Sequence, residues 1–155
     1  MLSVAKVVIV VSSAISAELA RVSKASNLTL LAYREGVSLE ARTKLTIEQL
    51  RHQASADRLS LADSFVVTAS KLVRSRPAQH RSAISRYYYA MYHAARATVF
   101  FVHEGDDHEA HSVLPTKFPS DFPQASYWQN ELKFARFRRN EADYEHYSEV
   151  LITRI

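Results

Sequence analysis

Ser85-Arg86-Tyr87-Tyr88-Tyr89-Ala90-Met91-Tyr92-His93 sits inside a span, 81–102, that contains no glycine, no proline and no acidic residue. At 100° per residue, Ile84, Tyr88, Met91, Ala95, Val99 and Val102 fall within about 80° of one another and form an apolar stripe. Arg86, Tyr89, His93, Ala97 and Phe100 lie on the opposite side. The spacing predicts one helix from about 78 to 103 with two faces unlike a solvated surface. One face is expected to meet the rest of a bundle, and the other a partner subunit or a ligand.

The remainder of the chain agrees with a helical architecture. Its 155 residues are 47% hydrophobic, enough for one sizeable core. Glycine occurs only at 36 and 105, and proline only at 77, 115, 119 and 123, which disfavours a strand-and-turn protein. So little glycine also leaves no phosphate loop, dinucleotide fingerprint or nucleophile elbow. There is no cysteine, so disulfides and thiolate metal sites are excluded.

Outward from the central helix, Ile47, Leu50, Ala54, Leu61, Phe65, Ala69 and Leu72 recur at helical spacing and predict a helix ending before Pro77. Residues 105–123 form a proline-rich connection with a short helix expected around 111–117. A last helix is expected from about Gln124 to the C-terminus, bent near 144–147. Residues 1–43 are an N-terminal extension of unclear structure, broken near Arg34-Glu35-Gly36. Leu2 to Ala17 is weakly signal-peptide-like but short, and a segment packed on the domain is the expectation. The fold class is therefore all-α, an antiparallel, up-and-down, four-helix-type bundle over 44–155.

The formal charge is +4 and the pI near 9.4, a mild preference for polyanions. Lys71, Arg74, Arg76, Arg81, Arg86 and Arg96 share a span without one carboxylate. Lys133, Arg136, Arg138 and Arg139 alternate with Phe134 and Phe137. Cations beside aromatics suit single-stranded nucleic acid, where bases stack and phosphates pair; a solvated face with core aromatics gives the same pattern. Arg139 and His146 differ by about 20° on a continued helix. Such a pair could orient a phosphate and move a proton. Spacing alone does not choose it, because Arg74/His80, Arg86/His93 and Arg96/His103 have similar separations. His103, Glu104, Asp106, Asp107, His108, Glu109 and His111 could be drawn as a metal site, but without a zinc-hydrolase pattern a polar loop is expected.

At S-R-Y-Y-Y-A-M-Y-H-A-A-R-A (85–97), at His111-Ser112-Val113-Leu114 and at Arg139-Asn140-Glu141-Ala142-Asp143-Tyr144, the chain resembles the HEPN superfamily (higher eukaryotes and prokaryotes nucleotide-binding). The likeness covers roughly 46–155. It implies a cytoplasmic all-α homodimer, without metal, cofactor or membrane. Many members are metal-independent endoribonucleases of toxin–antitoxin or defence systems, with an Arg followed by a His. Carried onto this chain, Arg139 and His146 are catalytic and Asn140, Asp143 and Tyr144 support them. The commonest spacing puts His where Tyr144 stands here. The R-x-x-A-D-Y branch often lacks that His, and its members are thought to bind rather than cleave. The alternative is thus a non-catalytic module that binds nucleotide, RNA or a partner nucleotidyltransferase antitoxin. Arg86, His93, Arg136 and Arg138 are its candidate contacts, and Tyr144 or Tyr147 candidates for modification.

Overall fold

The structure, a computed structural model, describes residues 13–106 and 108–146. No strand occurs among them. The all-α, up-and-down architecture expected from the sequence is the one observed. The chain divides at Ile47 into two compact units.

The first unit carries α1 (Ser13–Lys24) and α2 (Asn27–Thr43). The expected break at Arg34-Glu35-Gly36 is absent, because α2 runs straight through it. The break falls at Ala25-Ser26, where the Ser26 hydroxyl accepts the Thr29 backbone N–H at 3.1 Å and caps α2. A lone mid-helix glycine costs only about 1 kcal/mol, too little to divide a helix with a good cap. At the other end Lys44 turns left-handed (φ 61°) and returns its N–H to Glu40 O at 2.9 Å. No residue of α2 is buried. The apolar segment from Leu2 to Val11 lies outside the described residues, and no described helix is long and apolar enough to cross a membrane.

In the second unit α3 spans Ile47–Arg74, α4 His80–Val102 and α5 Ala125–Tyr144. A 3-10 turn at Leu114–Lys117 occupies the connection. The contacts between α3 and α4 run in opposite senses along the two helices: Ser70 meets Tyr87, Phe65 meets Tyr89 and His93, and Arg58 meets Phe100. Likewise Arg81 reaches Ala142 while Tyr89 meets Arg139. Both neighbours are therefore antiparallel to α4.

Most of the expected stripe of α3 faces inward, with Ala69 buried and Phe65 packed on α4, but not all of it. The buried residues of the helix are Ser55, Ala62 and Ala69, spaced by seven, whereas Leu61 is 43% exposed. Small residues on the seam let the large rings of Phe65, Tyr89 and His93 fill the gap between the helices. On α4, eight residues are buried, from Ala83 to Val99, on more than one face. α3 packs on part of the second face of α4 through Phe65 and Arg58, while Arg86 on that face stays exposed.

Tyr88, Tyr92, Ala95, Val99, Leu114 and Leu132 make the core, with Leu114 of the 3-10 turn fully enclosed. Gly105 leaves α4 at φ 145°, a conformation that glycine tolerates and other residues rarely adopt. The last helix ends at Tyr144 and Glu145 is extended, so the chain does not continue helically through His146. The reason is tertiary. Arg81 donates from Nε to Ala142 O at 2.5 Å and from Nη2 to Glu145 O at 2.6 Å, satisfying carbonyls at the helix end. Arg81→Gln is expected to lower unfolding free energy by roughly 1–3 kcal/mol in urea titrations, with Ser82→Ala near neutral.

Candidate functional site

Arg139 is the most heavily engaged of the residues singled out from the sequence. Its Nη2 donates to Tyr89 Oη at 3.2 Å and its Nη1 to Asn140 Oδ1 at 3.1 Å. Nε lies 2.7 Å from Asp143 Oδ2, an ion pair by distance although the N–H is not aimed at the oxygen. Both side chains are largely enclosed, at 22% and 26% exposure, so this pair is less screened than a surface one. The Ser85 hydroxyl approaches the same carboxylate oxygen at 3.5 Å. The guanidinium also lies 5.6 Å from the ring centroids of Tyr89 and Tyr144. The structure therefore brings Arg139, Asn140, Asp143 and Tyr144 together. His146 is exposed beyond the helix end, so the shared helical face that paired it with Arg139 does not exist. Tyr147 lies outside the described residues.

The Arg86/His93 pair packs on α3. The His93 ring stacks on Phe65 at 5.3 Å with an interplanar angle of 5°, and the Arg86 guanidinium lies 5.8 Å from the same ring. On α5 the two remaining candidates part company. Arg138 pairs with Glu141 at 2.9 Å and covers Phe134 at 4.8 Å. Arg136 is half-buried and has no protein hydrogen bond or ion pair among the described residues.

A second polar cluster forms around His111, which sequence reasoning placed only in the loop and in the family's short helix. Tyr88 Oη and His111 Nδ1 share a short hydrogen bond. Tyr92 stacks on the imidazole at 4.2 Å and donates its hydroxyl to Glu109 O at 2.5 Å. Burial pushes the Tyr88 hydroxyl up to about 12 against the opposing pull of Arg136. Burial first, then the positive charges of Arg136, Arg139 and Arg96, lower the His111 pKa below 6.5. Two α4 tyrosines one helical turn apart were the available sign that something polar had to meet them.

The other histidines of this segment point to different partners. His103 Nε2 lies 2.8 Å from Lys117 O, and His108 Nε2 lies 3.3 Å from Asp106 Oδ2. Among the described residues no group of three His, Asp or Glu side chains comes together to hold a metal. An apolar cleft of about 180 Å3 between α4, the connection and α5 is lined by Met91, Ala95, Phe118, Trp128 and Leu132 among others, and no ionisable group faces it. No protein-family model matches the chain, and no curated protein or solved structure matches it. The HEPN reading therefore stands on the motifs alone.

The depressed His111 pKa has a consequence for stability. As pH falls below 6.5 the unfolded chain takes up the proton before the folded one does. The contribution is thus complete above that value and is lost as pH drops through the folded pKa. Denaturant titrations between about pH 7.5 and 5.5 are expected to show stability falling with acid, and a shallower fall in His111→Gln.

Proposed function

We propose that this chain is a HEPN-like helical module that binds single-stranded RNA and works as a cytoplasmic homodimer. The observation that carries the reading is the outer surface of α5. Phe134 and Phe137 are 52% and 56% exposed, and Arg138 lies against Phe134. Exposed rings beside guanidiniums let bases stack while phosphates are paired, without a requirement for sequence. The engagement of Arg139 by Asp143, Asn140 and Tyr89 favours binding over cleavage, since its charge is already paired within one chain. Exposed Tyr127 and Trp128 near the start of α5 suit a subunit contact or a nucleotidyltransferase partner.

Fluorescence anisotropy with a single-stranded oligoribonucleotide tests this. Binding is expected to weaken steeply with salt, and Phe134→Ala or Phe137→Ala to cost about 1–3 kcal/mol. Binding that ignores both rings would sink the proposal.

A second reading, metal-independent endoribonuclease, is favoured by one observation: His146 is exposed just beyond Tyr144, against whose ring Arg139 lies. Arg139 would hold the scissile phosphate while His146 moved a proton. The ribose 2′-hydroxyl would then attack the adjacent phosphorus as the P–O5′ bond breaks, leaving a cyclic phosphate on one fragment and a protonated 5′-hydroxyl on the other. Cleavage in EDTA that disappears in His146→Ala is the expected signature. Intact RNA, or cleavage unchanged by that substitution, removes His146 from any mechanism.

A further inference from the structure

The longest run of the chain without a carboxylate, 64–103, covers the end of α3, the turn after it and all of α4. Lys71 and Arg74 stand in the last turn of α3, three positions and about 60° apart, so they share one face of the helix. Arg76 follows in the turn, where two residues of chain hold its Cα within about 7 Å of that of Arg74. All three are exposed, and none has a hydrogen-bonded or ion-paired side chain among the described residues.

The turn that carries them is held from within. The Ser75 hydroxyl lies 2.8 Å from both Leu72 O and Pro77 O, and the Gln79 N–H donates to Leu72 O at 3.0 Å. Across the turn Ser70 meets Tyr87 at 3.2 Å, which fixes the start of α4 beside the end of α3. The cations are thus placed by a bonded turn rather than by a free loop.

Basic residues in the last turn of a helix offset its dipole, which accounts for Lys71 and Arg74 taken singly. It does not account for Arg76, beyond the helix, or for a group of three left uncompensated. α4 has no acidic residue in its first turn, and Arg81 there is engaged by the carbonyls of Ala142 and Glu145. At that end of α5, Asp143 pairs with Arg139 and Glu141 with Arg138. Glu145 remains, and one exposed carboxylate does not offset three cations. Val73 is the one exposed large apolar side chain between 68 and 86, too little for the apolar centre that a protein interface buries. The Arg81 bonds also set the turn at the same end of the unit as Phe137, which lies five positions, about 7.5 Å along α5, before Ala142.

We propose that Lys71, Arg74 and Arg76 form a track for the phosphodiester backbone of single-stranded RNA, beyond the aromatic surface of α5. The assignment rests on the RNA-binding reading and extends it: the rings take bases, and these cations take the phosphates that follow. Phosphate contacts carry no base information, so the track supplies affinity, orientation and salt dependence without sequence preference.

The salt dependence of binding, read by fluorescence anisotropy of the full chain, tests the track. Each phosphate neutralised on a single strand contributes about −0.7 to the slope of log K against log salt. Lys71→Gln/Arg74→Gln/Arg76→Gln is expected to flatten that slope by about 2 and to weaken low-salt binding at least tenfold. Arg21→Gln/Lys24→Gln/Arg42→Gln removes the same charge from the first unit and should leave the slope unchanged. Thermal melts establish that both variants fold; where the first does not, each of its three single substitutions is expected to flatten the slope by about 0.7. An abasic phosphodiester chain has no base to stack and so separates the two sites. Abasic binding that the Lys71/Arg74/Arg76 variant loses, with no preference for RNA, keeps the track and removes the stacking surface. RNA binding with an unchanged slope in that variant overturns the track and leaves the RNA reading standing. Equal flattening in the first-unit variant overturns the track as well. Equally tight binding of a poly-aspartate of the same length overturns it in favour of an acidic protein, and no binding of either nucleic-acid chain overturns both proposals.

Discussion

A helix covered on two sides must find a partner for every polar group it carries inward, and the second unit depends on how α4 meets that requirement. Arg81 takes the last carbonyls of α5, Ser85 approaches Asp143, Tyr89 receives Arg139, and Tyr88 and Tyr92 fix the connecting segment through His111 and Glu109 O. An unmade bond at any of these buried positions costs about 1–3 kcal/mol, comparable to the burial of a whole aliphatic side chain. The polar groups therefore set the register that the apolar stripe alone would leave free. They also place the end of α5 and the 3-10 turn relative to α4, and with them every candidate functional residue outside α3.

This division explains what could be read from the amino-acid sequence. The helical nature of α3, α4 and α5 and the two-faced character of α4 follow from periodicity and from the scarcity of glycine and proline, both local properties. The end of α5 does not, because its terminator is Arg81, sixty-one positions upstream. Nor does the placement of His111, whose partner Tyr88 is twenty-three positions away. The seam of α3 follows the periodicity at Phe65 and Ala69 but departs from it at Leu61. A stripe through Leu61 maximises apolar character, whereas the fold buries Ser55, Ala62 and Ala69 because the rings of α4 need the room. At α2 the capping serine outweighed a glycine that carried little cost.

The site was legible in composition but not in geometry. Arg139 and Asp143 meet as helix neighbours four positions apart, and the adjacent Asn140 and Tyr144, five positions on, join them. His146 was tied to them by an assumption of continued helix that the Arg81 cap removes. Arg136 was legible in the sequence as one cation of a run and as a candidate nucleic-acid contact. Its distinction from Arg138 is that Arg138 has Glu141 within reach, whereas Arg136 has no ion pair among the described residues.

The same contrast bears on where an anion can settle. A phosphate approaching Arg139 meets the carboxylate of Asp143, held 2.7 Å from the guanidinium. Two like charges about 4 Å apart repel by about 4 kcal/mol at an effective dielectric constant near 20, which is enough to offset much of a single charge-assisted hydrogen bond. For Arg139 to act on a scissile phosphate, that ion pair has to open. Burial pushes the Tyr88 hydroxyl up to about 12, so it stays protonated beside this network. The Arg139 network thus ties α5 to α4 through Tyr89, with its charge already compensated by Asp143.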